Sequence, residues 1–473
     1  MTVTLHNTLT KNIDEVSPLN PEQVTIYSCG PTVYDHVHIG NLSAFIVADV
    51  LRRALAENYP SVKHVMNFTD IDDKTIRRSR EEFPDDRPAD ALKNLTSKYG
   101  DQFLSDMRAI GNDIDALTFI KAADDSTIEG MRQLITELHE KGFAYISDDG
   151  VYFNIDAYKK SGKKYGQLVE ITEDNTSSER IHNDEYDKES AHDFALWKKR
   201  KDDEPSWDFA LDGHDLHGRP GWHIECSVMS RLELGQPFDI HTGGIDLAFP
   251  HHENEIAQST AGHDDPTYAT TFVHNEHILV DGKKMSKSEQ NFFTLADLLA
   301  NTIDPLAFRL LVLQSHYRKP TNFSIDNAQA AHNRLQHWRA IAALRHQTTY
   351  SHNGELSSLQ SIDTIRDAIS DDLNTPEALR IIDETFSNLE AHSVATIDQQ
   401  ALVDLLSAID KMLGLQLLQT TPDISDEQKS LIKEREHARQ SKDWSRSDEL
   451  RATLDSQGIV VRDTPDGSVW EYA

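Results

Sequence analysis

Apolar positions change period several times along the chain, and each change marks a different kind of element. Residues 24–27, Val-Thr-Ile-Tyr, read as a strand that stops at a Gly30 turn. Leu42, Phe45, Ile46, Val50, Leu51 and Leu55 then recur at helical spacing, residues 62–68 read as a second strand, and more helix follows up to Ile110. This is the alternation of an α/β unit. It breaks at residues 143–155, where aromatic and β-branched runs flank Asp148-Asp149-Gly150 and predict a hairpin. Residues 173–190 are polar without an apolar period and read as a loop, so a segment near 121–200 is expected to be inserted into the α/β unit. The parallel-sheet pattern resumes around Gly221. Phe238-Asp239-Ile240 and Ile278-Leu279-Val280 read as strands, and Thr242-Gly243-Gly244 as a close-approach turn.

Past Thr302 the period is helical, with Phe308, Leu311 and Val312 on one face and further helices through Leu335, Ile341, Leu344, Ile365, Leu379, Leu402 and Leu413. Residues 347–358 and 420–426 read as linkers. After the second come a basic-acidic helix and a small hairpin built from Gly458-Ile459-Val460-Val461 and Ser468-Val469-Trp470.

With 473 residues the chain exceeds a single core, so roughly three to four domains are expected. Its 38% hydrophobic and 27% charged residues are those of an ordinary soluble globular protein. No basic and apolar leader opens it, and no run approaches the ~20 apolar residues of a membrane span. A cytoplasmic protein without a membrane partner is expected. Its two cysteines, Cys29 and Cys226, exclude a disulfide framework. Lys and Arg number 47 against 79 Asp and Glu, a net charge of -32. Such a total speaks of solubility and long-range repulsion, whereas phosphate contact needs only a local basic surface, so a nucleic-acid partner is not excluded.

Two short stretches carry the candidate nucleotide chemistry. His38-Ile39-Gly40-Asn41 stands where a strand gives way to a helix; there a glycine lets a nucleotide approach the backbone and helix-end N–H groups face it. His38 would donate to a triphosphate as charge develops. Lys284-Met285-Ser286-Lys287-Ser288 follows a strand and an Asp281-Gly282 turn, and Lys284 and Lys287 would fold over a pyrophosphate. Each stretch alone also fits a plainer description, a capped surface helix or a solvated basic loop.

Metal chemistry is suggested by a third group. Cys29 precedes the Gly30 turn, and Cys226 follows Gly221-Trp222-His223-Ile224-Glu225. In Phe249-Pro250-His251-His252-Glu253-Asn254-Glu255 the proline starts a helix, which puts His251 and Glu255 four apart on one face. Two thiolates, an imidazole and a carboxylate make a four-ligand zinc set. The cysteines lie too far apart for a zinc finger, so such a site forms only in the folded core. A metalloprotease motif is excluded, because Ile256 stands where its second histidine would be.

In this order the two nucleotide motifs resemble the signature of class I aminoacyl-tRNA synthetases. The stretches Tyr27-Ser28-Cys29-Gly30-Pro31-Thr32-Val33-Tyr34-Asp35, Asn67-Phe68-Thr69-Asp70-Ile71-Asp72-Asp73-Lys74, Arg219-Pro220-Gly221-Trp222-His223-Ile224-Glu225-Cys226 and residues 249–259 resemble the cysteinyl-tRNA synthetase family over nearly the whole chain. The resemblance implies a Rossmann-like parallel-sheet catalytic domain with an insertion, then a helical bundle and a small C-terminal mixed α/β domain. The expected boundaries are 1–120 and 201–262 for the two catalytic halves, 121–200 for the insertion, and 263–324 for a stem-contact region with the lysine loop. The bundle would take 325–419 and an anticodon-binding unit 420–473.

It also implies that zinc is held by Cys29, Cys226, His251 and Glu255, with the thiolate of the substrate L-cysteine as a further ligand. Shape alone separates near-isosteres by roughly 10 to 200-fold, whereas zinc strongly prefers a soft thiolate to a hydroxyl. An editing domain is then unnecessary, and the insertion is too short and polar to suggest one. Thr69 and Trp222 are implied at the amino acid; Gly40, Gly243, Gly244, Asp246 and Lys287 at ATP with Mg2+; and His38, Asn41, Lys284 and Lys287 in catalysis. The implied partner is tRNA(Cys), and a monomer is expected.

The chain departs from the family pattern at Asn41, where histidine is usual, and at Thr242 and Ile245, where many relatives carry glycine and serine. Between Lys429 and Arg451 basic residues slightly outnumber acidic ones, and Trp444 is either a platform for an anticodon base or a helix-packing residue. Two rivals remain: a cysteine ligase of low-molecular-weight thiol synthesis, which should lack the region after Thr420, and a non-catalytic RNA-binding paralogue, against which the intact motifs argue.

Overall fold

The computed structural model describes residues 2–171, 193–201, 204–285, 291–347, 359–392, 394–464 and 467–472. Five parallel strands form its central sheet in the order Ala269–Asn275, Phe238–Gly244, Val24–Ser28, Val62–Phe68, Leu117–Lys121. Most of their residues are buried, as expected where helices cover both faces. From Val24–Ser28 the chain crosses over through the helix Ile39–Asn58 to Val62–Phe68, and it returns much later on the other side as Phe238–Gly244. The order reverses at Val24–Ser28. A crevice therefore opens beyond the carboxyl ends of Val24–Ser28 and Phe238–Gly244, the usual ligand position in such sheets.

The predicted hairpin is present as Ala144–Ser147 and Gly150–Asn154. It joins Asp193–Lys199 and Gly218–Pro220 in a separate antiparallel sheet. Trp197 is fully buried in this sheet and donates its indole N–H to Leu216 O at 2.7 Å. Gly221 follows the last strand and leads straight into the helix Trp222–Leu234, so the second sheet aims the helix that carries Cys226.

Three local expectations need correction. Thr242, Gly243 and Gly244 do not turn; they complete Phe238–Gly244, paired with Val273, His274 and Asn275, because a parallel ladder on that side satisfies their backbone groups. A short strand, Thr321–Phe323, interrupts the helical region and pairs with Ile278–Val280. At three residues it is too short to show a period of two. The basic-acidic helix is a pair, Asp426–Gln440 and Trp444–Ser456, packed with the predicted hairpin Ile459–Thr464 and Gly467–Tyr472. An N-terminal hairpin, Thr4–Asn7 with Asn12–Glu15, was not anticipated. The loop expected at 173–190 and the linker at 347–358, beyond Gln347, lie outside the described residues.

One buried side chain ties the sheet unit to the helices that follow. Arg309, fully buried, donates to Asp49 Oδ2 on Ile39–Asn58, to Ile110 O and Asn112 Oδ1 after Pro88–Ala109, and to Leu413 O at the end of Gln399–Leu413. Gly414 follows with φ +64°; a Cβ there would stand 2.7 Å from the guanidinium, so the position needs glycine twice over. Among the described residues no helix is long and apolar enough to cross a membrane.

Candidate active site

Cys29 lies just past the end of Val24–Ser28, and Cys226 sits in the first turns of Trp222–Leu234. His251 and Glu255 share one face of His251–Gly262, which begins after Pro250 as its sequence predicted. One donor atom from each of these four residues lies within 4.8 Å of the other three. The two sulfurs are 3.8 Å apart, too far for a disulfide. That spacing is the edge of a tetrahedron with the ~2.3 Å bonds of a zinc–thiolate site. His251 Nε2 is buried, 2.9 Å from Glu255 Oε1, yet without a hydrogen-bond partner. A buried ring nitrogen without a well-formed hydrogen bond, set among two sulfurs and a carboxylate, fits a metal ligand.

Neighbouring groups orient these donors. His251 Nδ1 lies 2.8 Å from His223 Nδ1, and the Trp222 ring stacks on the His251 ring at 4.0 Å. Glu255 Oε2 accepts from Tyr268 at 2.9 Å and lies 2.8 Å from His241 Nε2, which leaves Oε1 to face the sulfurs. Burial pushes Glu255 up, but His241 and His251 outweigh it and hold the carboxyl well below its usual range. Burial alone would lower His251; Glu255 and Cys226 instead push it up to about 10. Burial raises the Cys29 thiol, whereas a hydrogen bond from Cys29 and the nearness of His251 bring Cys226 down to about 6 against its own burial. Cys29 and Glu255 form a second compact group with His241 and His252. That group has a single thiolate, and its His241 Nε2 is engaged with Glu255, so the first group, with two sulfurs, is the better zinc set.

The described parts of the two candidate nucleotide stretches approach each other at the crevice. His38 is the N-cap of Ile39–Asn58, and its Nδ1 accepts from the N–H of Asn41 at 3.2 Å. A Cβ on Gly40 would stand 2.8 Å from His38 Nδ1 and 3.8 Å from the methyl of Met285, so the glycine keeps the two motifs in close approach. Ile39 N donates to Phe293 O, and the His38 ring meets Phe292 edge-on at 5.0 Å. Lys284 pairs through its backbone with Leu279. Its side chain, and Lys287 as a whole, lie outside the described residues. Gly243 and Gly244 end their strand at the same crevice. A Cβ on Gly243 would come within 2.9 Å of Leu247, and one on Gly244 within 2.5 Å of Asp246 Oδ1. Asp246 lies in the turn Ile245–Ala248, 3.9 Å from His277 Nδ1.

On the metal side, Thr69 is buried and donates its hydroxyl to Glu225 Oε2 at 3.1 Å. Sequence reasoning did not single out Glu225, His223, His241, His252 or Tyr268. The strongest available signal was the three histidines, His241, His251 and His252, within residues 241–252. Burial raises the Glu225 carboxyl well above its usual value, and Cys226, Asp70 and Asp72 push in the same direction.

Comparisons with known proteins agree with this geometry. The family described as the tRNA synthetases class I (C) catalytic domain matches residues 15–333, and the Cysteinyl-tRNA ligase anticodon binding domain matches 421–470. A cysteine–tRNA ligase of Leptospira interrogans is 38% identical over 482 residues, covering 99% of each chain. One from Brachyspira hyodysenteriae is 38% identical over 485 residues with the same coverage. Among solved structures, a Mycobacterium tuberculosis methionyl-tRNA synthetase in complex with methionyl-adenylate superposes with a TM-score of 0.61 at 13% identity, over 84% of this chain and 93% of the other. At that identity the likeness speaks for the fold alone.

Proposed function

This chain belongs to the cysteine–tRNA ligase family, and we propose that it selects its amino acid through a zinc ion held by Cys29, Cys226, His251 and Glu255. It is a class I ligase that activates L-cysteine with ATP and joins it to tRNA(Cys). The observation that carries the metal reading is the convergence of His251 Nε2, Glu255 Oε1 and two sulfurs 3.8 Å apart, one donor atom from each residue lying within 4.8 Å of the others. When bound there, zinc supplies a soft Lewis acid that prefers a thiolate to a hydroxyl and lowers the pKa of a thiol.

The chain's own residues do the rest. His241 and Tyr268 fix Glu255, and His223 and Trp222 fix the His251 ring, so the donor set is rigid before substrate arrives. Thr69 and Trp222 hold the backbone of the amino acid, whose carboxylate attacks the α-phosphorus of ATP with loss of pyrophosphate. Gly40, Gly243 and Gly244 leave room for the nucleotide, and Asp246 lies beside it. His38 with Lys284 and Lys287 stabilises the charge that builds on the phosphates, Asn41 adds an uncharged hydrogen bond, and Mg2+ accompanies ATP. No side chain acts as a nucleophile; catalysis is positioning and electrostatics. The acyl group then passes to the 3' end of tRNA. Exposure of Trp444, with Arg439 5.7 Å from its ring, supports a stacking platform for an anticodon base. The enzyme works as a cytoplasmic monomer.

The test is charging of total tRNA with labelled cysteine, with serine as control, alongside metal analysis of the purified chain. Zinc near one per chain and charging by cysteine alone are expected. Faithful choice of cysteine by metal-free protein would refute the reading.

A further inference from the structure

Thr69 has one hydroxyl proton and two lone pairs, and its surroundings spend most of them. The proton goes to Glu225 Oε2 at 3.1 Å, and one lone pair takes the Nδ2–H of Asn67 at 3.2 Å. Asn67 is held in turn, because its Oδ1 accepts the N–H of Gly30 at 2.8 Å. The main chain of Thr69 is pinned to the segment after Cys29, with its N–H on Pro31 O and its C=O on Val33 N. Thr69 can therefore neither rotate its hydroxyl freely nor offer its proton elsewhere. A single lone pair remains for a ligand.

Glu225 is placed for this task by its helix. It lies one residue before Cys226 in the first turn of Trp222–Leu234, fully buried, and its other oxygen, Oε1, has no hydrogen-bond partner. A buried carboxyl with one oxygen unpaired is costly and is retained where it serves a site. Asp70 and Asp72, also buried, make this corner acidic.

We infer that Glu225 is a positioning residue that fixes Thr69 as an acceptor and so makes the pocket specific for the α-ammonium group of its substrate. The inference rests on the reading of Thr69 as an amino-acid contact and adds a second point of selection to the thiol. An ammonium donates and cannot accept, so it matches the free lone pair. A group at the same carbon that must accept finds no donor, and a bare methylene leaves the lone pair unsatisfied. The acidic corner favours the same cation at longer range.

The holoenzyme tests this with two ligands, cysteine in ATP–pyrophosphate exchange and 3-mercaptopropionate, its desamino analogue, as a competitive inhibitor. Glu225→Met removes the acceptor with an apolar side chain of similar length, and Glu225→Gln restores a carbonyl that can take the Thr69 proton. The Met variant should raise KM for cysteine about tenfold or more, the scale of a hydrogen bond to a charged group, with kcat, zinc content and the inhibition constant of 3-mercaptopropionate unchanged. Gln should recover most of the loss. In a Thr69→Val background the Glu225 substitutions should add nothing, and Thr69→Val alone should show the same selective loss if Glu225→Met does not fold. Equal weakening of both ligands, no change in either, a Gln variant no better than Met, or additivity with Thr69→Val overturns the inference. Wild-type enzyme should bind 3-mercaptopropionate more weakly than cysteine; equal affinity for the two would also overturn the inference, and an unchanged KM for cysteine in Thr69→Val would remove Thr69 from the amino-acid site and the inference with it.

Discussion

Burial raises both Cys226 and Asp70, and only Cys226 has neighbours that outweigh it. Cys226 has a hydrogen bond from Cys29 and the His251 ring nearby, so burial is outweighed and the thiolate form is favoured. Cys226→Ser leaves an alcohol that stays protonated at neutral pH and cannot replace the thiolate. Zinc content and cysteine-dependent pyrophosphate exchange should fall together in that variant; retention of both removes Cys226 from the ligand set. Asp70 has no such help. Burial raises it from about 3.8 to about 6, and a hydrogen bond from the N–H of Ala123 only partly offsets this. The folded chain then keeps a proton that the unfolded chain releases. Stability from neutral Asp70 is complete below pH ~4 and is lost as pH rises through 6. Asp70→Asn is neutral throughout, so its stability relative to wild type should climb between pH 4 and 7 by about 3 kcal/mol, from a shift of roughly two units. A flat difference across that window would mean that Asp70 titrates normally.

At the scale of elements, the helix Ile39–Asn58 connects the nucleotide end of the molecule to its helical half. His38 caps its start, and Asp49, about three turns in, meets Arg309, Arg53 and Arg52. Arg53 also reaches Asp410 O, Lys411 O and Gly111 O, so the carboxylate organises contacts to three other segments. The arginines overcome its burial and hold Asp49 far below the usual carboxylate range. Asp49→Asn removes the carboxylate that balances the fully buried Arg309 charge and should destabilise the chain by about 3 to 5 kcal/mol. The urea midpoint reads this; an unmoved midpoint would show that the arginines find other acceptors. None of this junction was legible in the sequence, because Asp49, Arg53 and Arg309 sit within ordinary amphipathic patterns and gain meaning only through contacts between distant segments. Periods of two and 3.6 did reveal most strands and helices around it, including the hairpin near Asp148 and the helix after Pro250. They missed the strand Thr321–Phe323 and misread Gly243, since short pairing is decided by the partner strand. The four donors were legible as residue types. The histidines and tyrosine that orient them were not, because their roles depend on ring-to-ring contacts that spacing cannot express.

For the whole molecule, the net charge of -32 and the tRNA substrate pull against each other. At ~10 mM salt the Debye length is about 30 Å, so the enzyme as a whole repels the polyanion during approach; at ~150 mM it is about 8 Å and only local contacts are felt. Those local contacts weaken in turn as salt rises further, because counterions compete for the phosphates. Charging efficiency, kcat/KM for tRNA(Cys), should therefore pass through a maximum with ionic strength, while cysteine-dependent pyrophosphate exchange, which involves no tRNA, should not. Stacking depends little on salt, which separates the stacking proposed for Trp444 from both effects. Exposed by 55% on the C-terminal unit, it is not the packing residue that the sequence left open. Trp444→Ala should lower kcat/KM for tRNA(Cys) by about 5 to 100-fold, the range of one base–aromatic stack, by a similar factor at every salt concentration and without change in exchange. A loss that disappears at the salt optimum would assign Trp444 to the electrostatic approach instead, and a loss in exchange would mean that its removal disturbs the catalytic unit.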